Sequence, residues 1–153
     1  MKELKYQSVG PDEISKIKGL WEGLREHHME KTKYFRDNFA SISFEKRAGD
    51  ILKKGKDGSV NIDLVMEKDS DSIIGYCASS ISSDREGEVE SLFLLSEYRG
   101  MGIGDALMER ALKWLEDNGA VKMKIGVAYG NDEVLTFYQR HGFYPRTYVL
   151  YRK

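Results

Sequence analysis

Residues 98–107 read Tyr-Arg-Gly-Met-Gly-Ile-Gly-Asp-Ala-Leu, with three glycines at alternate positions ahead of an amphipathic run, Ile103–Asn118. Each glycine there costs about 0.5–1 kcal/mol against alanine. What it provides is bare main-chain N–H at a helix start, where four donors lack intrahelical partners. Such a terminus binds anions, phosphate above all. Counting excludes two phosphate loops. A Walker A loop needs Lys-Ser or Lys-Thr behind its last glycine, and none follows here. The fingerprint Gly-x-Gly-x-x-Gly also fails, since its last position falls on Asp105 counted from Gly100 and on Leu107 counted from Gly102. What remains is Arg99-x-x-Gly102-x-Gly104.

A second block, residues 131–143, reads Asn-Asp-Glu-Val-Leu-Thr-Phe-Tyr-Gln-Arg-His-Gly-Phe. By itself it describes a well-capped short helix. Asn131 suits the N-cap, Asp132 and Glu133 suit the positive end, and Gly142 suits the position past the C-cap. Together the two blocks resemble the GCN5-related N-acetyltransferases (GNAT). That family carries Arg/Gln-x-x-Gly-x-Gly/Ala and, one strand later, Asn-x-x-Ala-x-x-Phe-Tyr-x-x-x-Gly-Phe. Asn131, Phe137, Tyr138, Gly142 and Phe143 match the second pattern, while Val134 stands in place of the usual Ala.

The resemblance implies acetyl-coenzyme A as co-substrate and no metal. The main chain of Arg99, Gly100, Met101, Gly102, Ile103 and Gly104 would surround the pyrophosphate. The strand before it would supply main-chain contacts to the pantetheine arm from Leu92, Phe93 and Leu94. An N–H near Phe93 would face the thioester oxygen, and Asn131 would hold the arm from the other side. Glu90, nine residues before Arg99, falls where many members place the base that takes the amine's proton, often through a water. Tyr138 falls where the family's tyrosine protonates the departing thiolate. The implied activity is transfer of an acetyl group to a primary amine of a small molecule, protein or peptide, by direct attack in a ternary complex. The alternative is a non-catalytic acyl-coenzyme A-binding sensor.

Each of these residues also has a blander reading. By the two-residue period of a strand, Glu90 shares a face with Glu88, Leu92 and Leu94. There it reads equally as a solvated strand carboxylate, with Glu88 as the reserve base. An amine near pKa ~10 is mostly charged at pH ~7, so some base or placed water is useful. His27 and His28 titrate in the right range but read as helix-end surface or core edge. Tyr138 also suits a core aromatic. Glu22 and Glu26, one turn apart, suit a cationic acceptor or merely a solvated face. Tyr34, Phe35 and Trp21 suit a pocket wall, with Trp21 equally at home in the core.

The elements that must position these residues follow from periodicity. Leu4–Val9 reads as a strand. Pro11 and two acids open a helix carrying Ile14, Ile17, Leu20, Trp21, Leu24 and His28 at helical spacing to about Glu30. Lys31–Ser43 reads as irregular and Phe44–Lys54 as a helix. Val60–Glu67, Ser72–Ser82 and Glu88–Leu95 read as strands joined by turns. After the glycine turn and its helix come a strand at Val121–Ala128, a helix at Asn131–Arg140 and a last strand at Phe143–Arg152, bent near Pro145. The order βααβββαβαβ predicts an α+β three-layer sandwich with helices on both faces of a mixed, mostly antiparallel sheet. That is the GNAT fold the resemblance also implies.

The 153 residues fit one domain, residues 1–153. With 24 Lys and Arg against 25 Asp and Glu, the net charge is −1. That balance argues against a nucleic-acid binder driven by phosphate contacts. The single Cys77 excludes an internal disulfide and fits a reducing, cytoplasmic setting; within Ile73–Ile81 it reads as a small buried hydrophobe. A charged start and the lack of any apolar run near ~18 residues predict no signal peptide and no membrane partner. The C-terminal Tyr144, Tyr148 and Tyr151 hint at pairing in a homodimer.

Overall fold

Five strands form one sheet in the order of the chain: β1 (Leu4–Val9), β2 (Ser59–Glu67), β3 (Ile73–Ile81), β4 (Glu86–Leu94) and β5 (Lys122–Ile125). The computed structural model describes residues 2–55 and 59–153. The first four strands pair antiparallel and β5 runs parallel to β4. Antiparallel neighbours need only short turns, whereas the parallel step needs a crossover. That crossover is α4 (Ile103–Asp117).

Helices cover both faces. Pro11–Ile17 forms a 3-10 turn that leads into α1 (Lys18–Lys31), followed by α2 (Arg36–Ser41) and α3 (Phe44–Lys54). Ile17, Trp21, Phe44 and Ile51 pack there against Ile62, Leu64, Tyr76 and Ala78. On the other face α4 sets Leu107, Met108, Ala111 and Leu115, all fully buried, against Val65, Ile74, Cys77 and Val89. This stripe at positions i, i+1, i+4 and i+8 is the core-facing stripe of an amphipathic helix. Truncating Leu115 there to Ala would cost about 2–5 kcal/mol. The last helix, α5 (Val134–Arg140), lays Phe137 and Tyr138 on the same cluster.

The structure departs from expectation in four places. Lys31–Ser43, read as irregular, contains α2. The fifth strand is shorter than Val121–Ala128, and α5 starts at Val134 rather than Asn131. Asn131 does not cap it, because its side chain turns to α1 instead. The expected strand at Phe143–Arg152 is absent: these residues carry no regular structure, and Tyr144, Tyr148, Leu150 and Tyr151 are exposed. Pro145 lacks an N–H to donate to a ladder, and among the described residues no strand pairs with this tail. Among the described residues, no helix is long and apolar enough to cross a membrane.

One irregularity matters for the site. Between β3 and β4, Ser79 pairs Val89 but Ala78 pairs Ser91, so Glu90 is an extra, bulged residue. A bulge resets side-chain parity. Glu88 and Glu90 therefore face α3, while Leu92 and Leu94 fall on the α4 face and Phe93 on the α1 face. The shared face inferred for Glu90, Leu92 and Leu94 does not exist.

Candidate active site

Strands β4 and β5 stay paired only from Glu86–Lys122 to Val89–Ile125. Beyond that β5 ends, whereas β4 continues to Leu94. Main-chain groups of residues 90–94 on that side have no strand partner, and a cleft of about 520 Å³ opens beside them. Unpaired strand edges recruit extended ligands by strand addition. Arg99 closes the far end of this edge: its Nε donates to the Leu94 carbonyl at 2.9 Å, and its guanidinium lies 5.3 Å from the centre of the Phe93 ring.

The glycine turn forms the floor. Gly100 and Gly102 both adopt φ of +79°, and Gly102 caps α4 in the left-handed conformation that side chains disfavour. Only the Ala106 N–H begins the intrahelical ladder, donating to the Gly102 carbonyl at 3.1 Å. The N–H groups before it point out of the helix mouth. Among the described residues, nothing beyond its chain neighbours lies within 4 Å of a Cβ built on Gly102, whereas one on Gly104 would touch Phe137 at 3.3 Å. Asp105 is the one carboxylate in this first turn. His141 at 2.7 Å and Arg140 at 3.0 Å bind it, and the His141 bond foremost holds it below the usual carboxylate range. Its negative charge is thus offset within the site.

Tyr138 projects into the cleft from α5. Burial, with Cys77 nearby, raises its phenol well above its ordinary pKa, so the proton stays on oxygen. Cys77 is fully buried and pushed up to about 12, as a core thiol should be. Asn131 is 7% exposed, and His27 of α1 meets its Oδ1 through Nε2 at 3.2 Å. Gly130 packs so tightly on the end of α1 that a Cβ would run into the Lys31 carbonyl.

Glu90 is placed differently from a free base. Its side chain is fully buried. Ser80 donates to Oε2 at 2.6 Å, Lys54 reaches the same oxygen at 3.0 Å, and Arg47 reaches Oε1 at 3.3 Å. Arg47 also donates to the Glu90 main-chain carbonyl at 2.6 Å, satisfying a group set apart by the bulge. The cleft meets this residue's main chain, not its carboxylate. Glu88, the reserve candidate, is paired with Lys54 at 2.7 Å.

Most of the residues singled out from sequence converge here: Glu90, Leu92, Phe93, Leu94, Arg99, Gly100, Gly102, Gly104, Asn131 and Tyr138 all line the cleft. Two do not line it. Ile103 is core, and Met101 is half exposed over a second hollow with Lys2, Leu4, Tyr6 and Tyr98. Leu24, His27 and His28 of α1 join the lining instead. Burial, then the neighbouring His27, lowers His28 to about 4, so its ring is neutral, and its Nδ1 is buried without a partner. No local pattern marks these histidines, because Asn131 lies 104 residues from His27. Trp21 is core against Phe44, and Glu22 and Glu26 lie outside the cleft lining. Tyr34 stacks on Tyr129 at 6.0 Å, and Phe35 meets Tyr151 edge-on at 6.4 Å.

Comparison with known proteins bears on this arrangement. The acetyltransferase (GNAT) family profile matches residues 21–143. An uncharacterised N-acetyltransferase of Mycobacterium tuberculosis is 37% identical over 71 residues, 46% of this chain and 46% of that protein. The mycothiol acetyltransferase of Corynebacterium efficiens is 29% identical over 92 residues, 60% of this chain and 31% of that one. The chain thus spans about half or less of the length of these curated relatives. Among solved structures, a GCN5-related N-acetyltransferase from Ralstonia eutropha superposes with a TM-score of 0.75 at 16% identity, covering 99% of both chains. The aminoglycoside N-acetyltransferase AAC(6')-Iy in complex with coenzyme A superposes with a TM-score of 0.68 at 18% identity, covering 100% of this chain and 96% of that one.

Proposed function

Because the chain belongs to the acetyltransferase (GNAT) family, we propose that it moves the acetyl group of acetyl-coenzyme A onto a primary amine by direct attack in the cleft. The observation that carries this reading is the open edge of β4 running straight into the glycine turn. One ligand with an extended amide arm and a pyrophosphate end fits both features. The pyrophosphate takes the N–H groups at the mouth of α4. The arm lies along Leu92, Phe93 and Leu94, with Asn131 opposite and an N–H near Phe93 aimed at the thioester oxygen, where charge develops.

In the reaction the ammonium first gives up one proton; the neutral nitrogen then bonds to the acetyl carbon, the carbon–sulfur bond breaks, and nitrogen loses a second proton while the thiolate gains one. Tyr138 holds its proton until the thiolate forms, then donates to sulfur. An ordinary thiol has a pKa near ~8.5, so a raised phenol acts first as a hydrogen-bond donor and passes its proton only as the nitrogen's proton is released to replace it. Glu90, bound by Ser80, Lys54 and Arg47, supports the reaction by fixing the bulge that leaves residues 90–93 open. The ammonium's first proton leaves through water in the cleft before attack, and the second, released as the amide forms, restores Tyr138.

A thiol-release assay with polyamine, amino acid, aminoglycoside and peptide amines tests this reading. Release that depends on one amine class supports it. Coenzyme A binding with no release on any amine would instead favour a non-catalytic acyl-coenzyme A sensor. The burial of the Glu90 carboxylate is the observation on that side.

A further inference from the structure

His27 stands in the cleft wall outside every role assigned so far. Its Nε2 lies 3.2 Å from Asn131 Oδ1 and 3.6 Å from Glu133 Oε1. A carboxylate oxygen and an amide oxygen both accept and neither donates. The Glu133 carboxylate accepts whichever way the amide is turned, and a lone pair on Nε2 would face it, so the hydrogen sits on Nε2. That hydrogen in turn decides which way the Asn131 amide points. With Oδ1 engaged toward α1, both Nδ2 hydrogens are left for the cleft. Asn131 is buried, so an amide turned the other way would leave an acceptor facing the ligand and a donor against His27.

We propose that His27 is a positioning residue that locks Asn131 as a hydrogen-bond donor toward the cofactor arm. The inference rests on the cofactor reading above. It gives the cleft a polarity: one wall offers strand main chain, and the other offers an amide donor whose direction is set from α1. The tight seat of Gly130 on the Lys31 carbonyl holds α1 and the Asn131 turn at the spacing this bond needs.

Titration calorimetry with coenzyme A on four variants of the whole chain tests it. His27→Ala should weaken binding about tenfold, the weight of one ordinary hydrogen bond. His27→Gln, which carries an N–H donor at similar reach, should restore most of it. In an Asn131→Ala background the His27→Ala change should add nothing, whereas a general packing role for His27 would add its full effect. Additive losses, or a His27→Gln variant as weak as His27→Ala, would overturn the proposal. So would unchanged binding in Asn131→Ala. In that event Gly102→Val decides what else falls: if it still abolishes binding, the cofactor reading stands without this role for His27, and if it does not, both fail.

Discussion

The two walls of the cleft are built by different means. One is continuous in the chain: β4, the glycine turn and the start of α4 follow one another from Glu86 to Asp117. It meets the cleft with main-chain groups, and its shape is set by a bulge and by glycines at positive φ. The other wall joins the end of α1 to the turn before α5, 104 residues away in the His27–Asn131 contact. It meets the cleft with side chains, and its shape is set by a packed glycine and a hydrogen bond. Main-chain walls depend on a few residue types at fixed spacing. Side-chain walls depend on which distant segments happen to meet.

The largest effect should come from the first wall. Gly102→Val puts a β-branched residue at φ of +79° and a Cβ into the open space at the mouth of α4, where the proposed pyrophosphate would sit. Loss of two charge-assisted hydrogen bonds there should weaken coenzyme A binding on the order of 1,000-fold by calorimetry. Unchanged affinity would show that the turn is a cap and nothing more. Tyr138→Phe keeps the ring and removes the hydroxyl, so kcat should fall about 100-fold with coenzyme A affinity retained; a wild-type kcat would remove Tyr138 from the chemistry.

Glu90→Gln separates positioning from proton transfer. It leaves Lys54 and Arg47 without their shared carboxylate, so thermal denaturation should show a loss of about 2 kcal/mol, partly screened because both cations are part-exposed. A variant of unchanged Tm with a shifted pH–rate profile would return Glu90 to the role of base. The pH-dependent effect belongs to the second wall. His28 is neutral in the folded chain down to about 4, whereas in the unfolded chain it protonates near ~6.5. The unfolded state therefore binds more protons between those values, and stability falls as pH drops through that window. His28→Gln should lose less Tm than wild type over the same range, and parallel curves would exclude this burial cost.

Legibility followed the same division. Gly100, Gly102, Tyr138 and Asn131, all singled out by spacing, line the cleft, although Asn131 engages α1 instead of capping α5. The three central strands and α4 fall within two residues of their expected bounds; α4 is buried at its helical period, whereas β2 and β3 are buried on both faces. The Glu90 bulge was invisible, since nothing in Val89-Glu90-Ser91 departs from a plain alternating strand, and the parity inferred for Leu92 and Leu94 failed with it. Nothing local marks Arg47 and Lys54, because a basic helix face reads as solvated. The tail 143–153 has strand-forming residues and no strand, since pairing is a property of two segments and not of one.

The strand order carries a consequence for how the molecule assembles. β2, β3 and β4 are neighbours in both chain and sheet, joined by turns at 68–72 and 82–85, while β5 returns only after residues 95–121. Hairpins close in microseconds, and contacts of long sequence separation wait on costlier loop closure. The meander should therefore form first, with its bulge already in register, and the gap between β4 and β5 should open only when the crossover docks. On refolding, far-ultraviolet ellipticity would return before coenzyme A binding, making the cleft the last part of the protein to form.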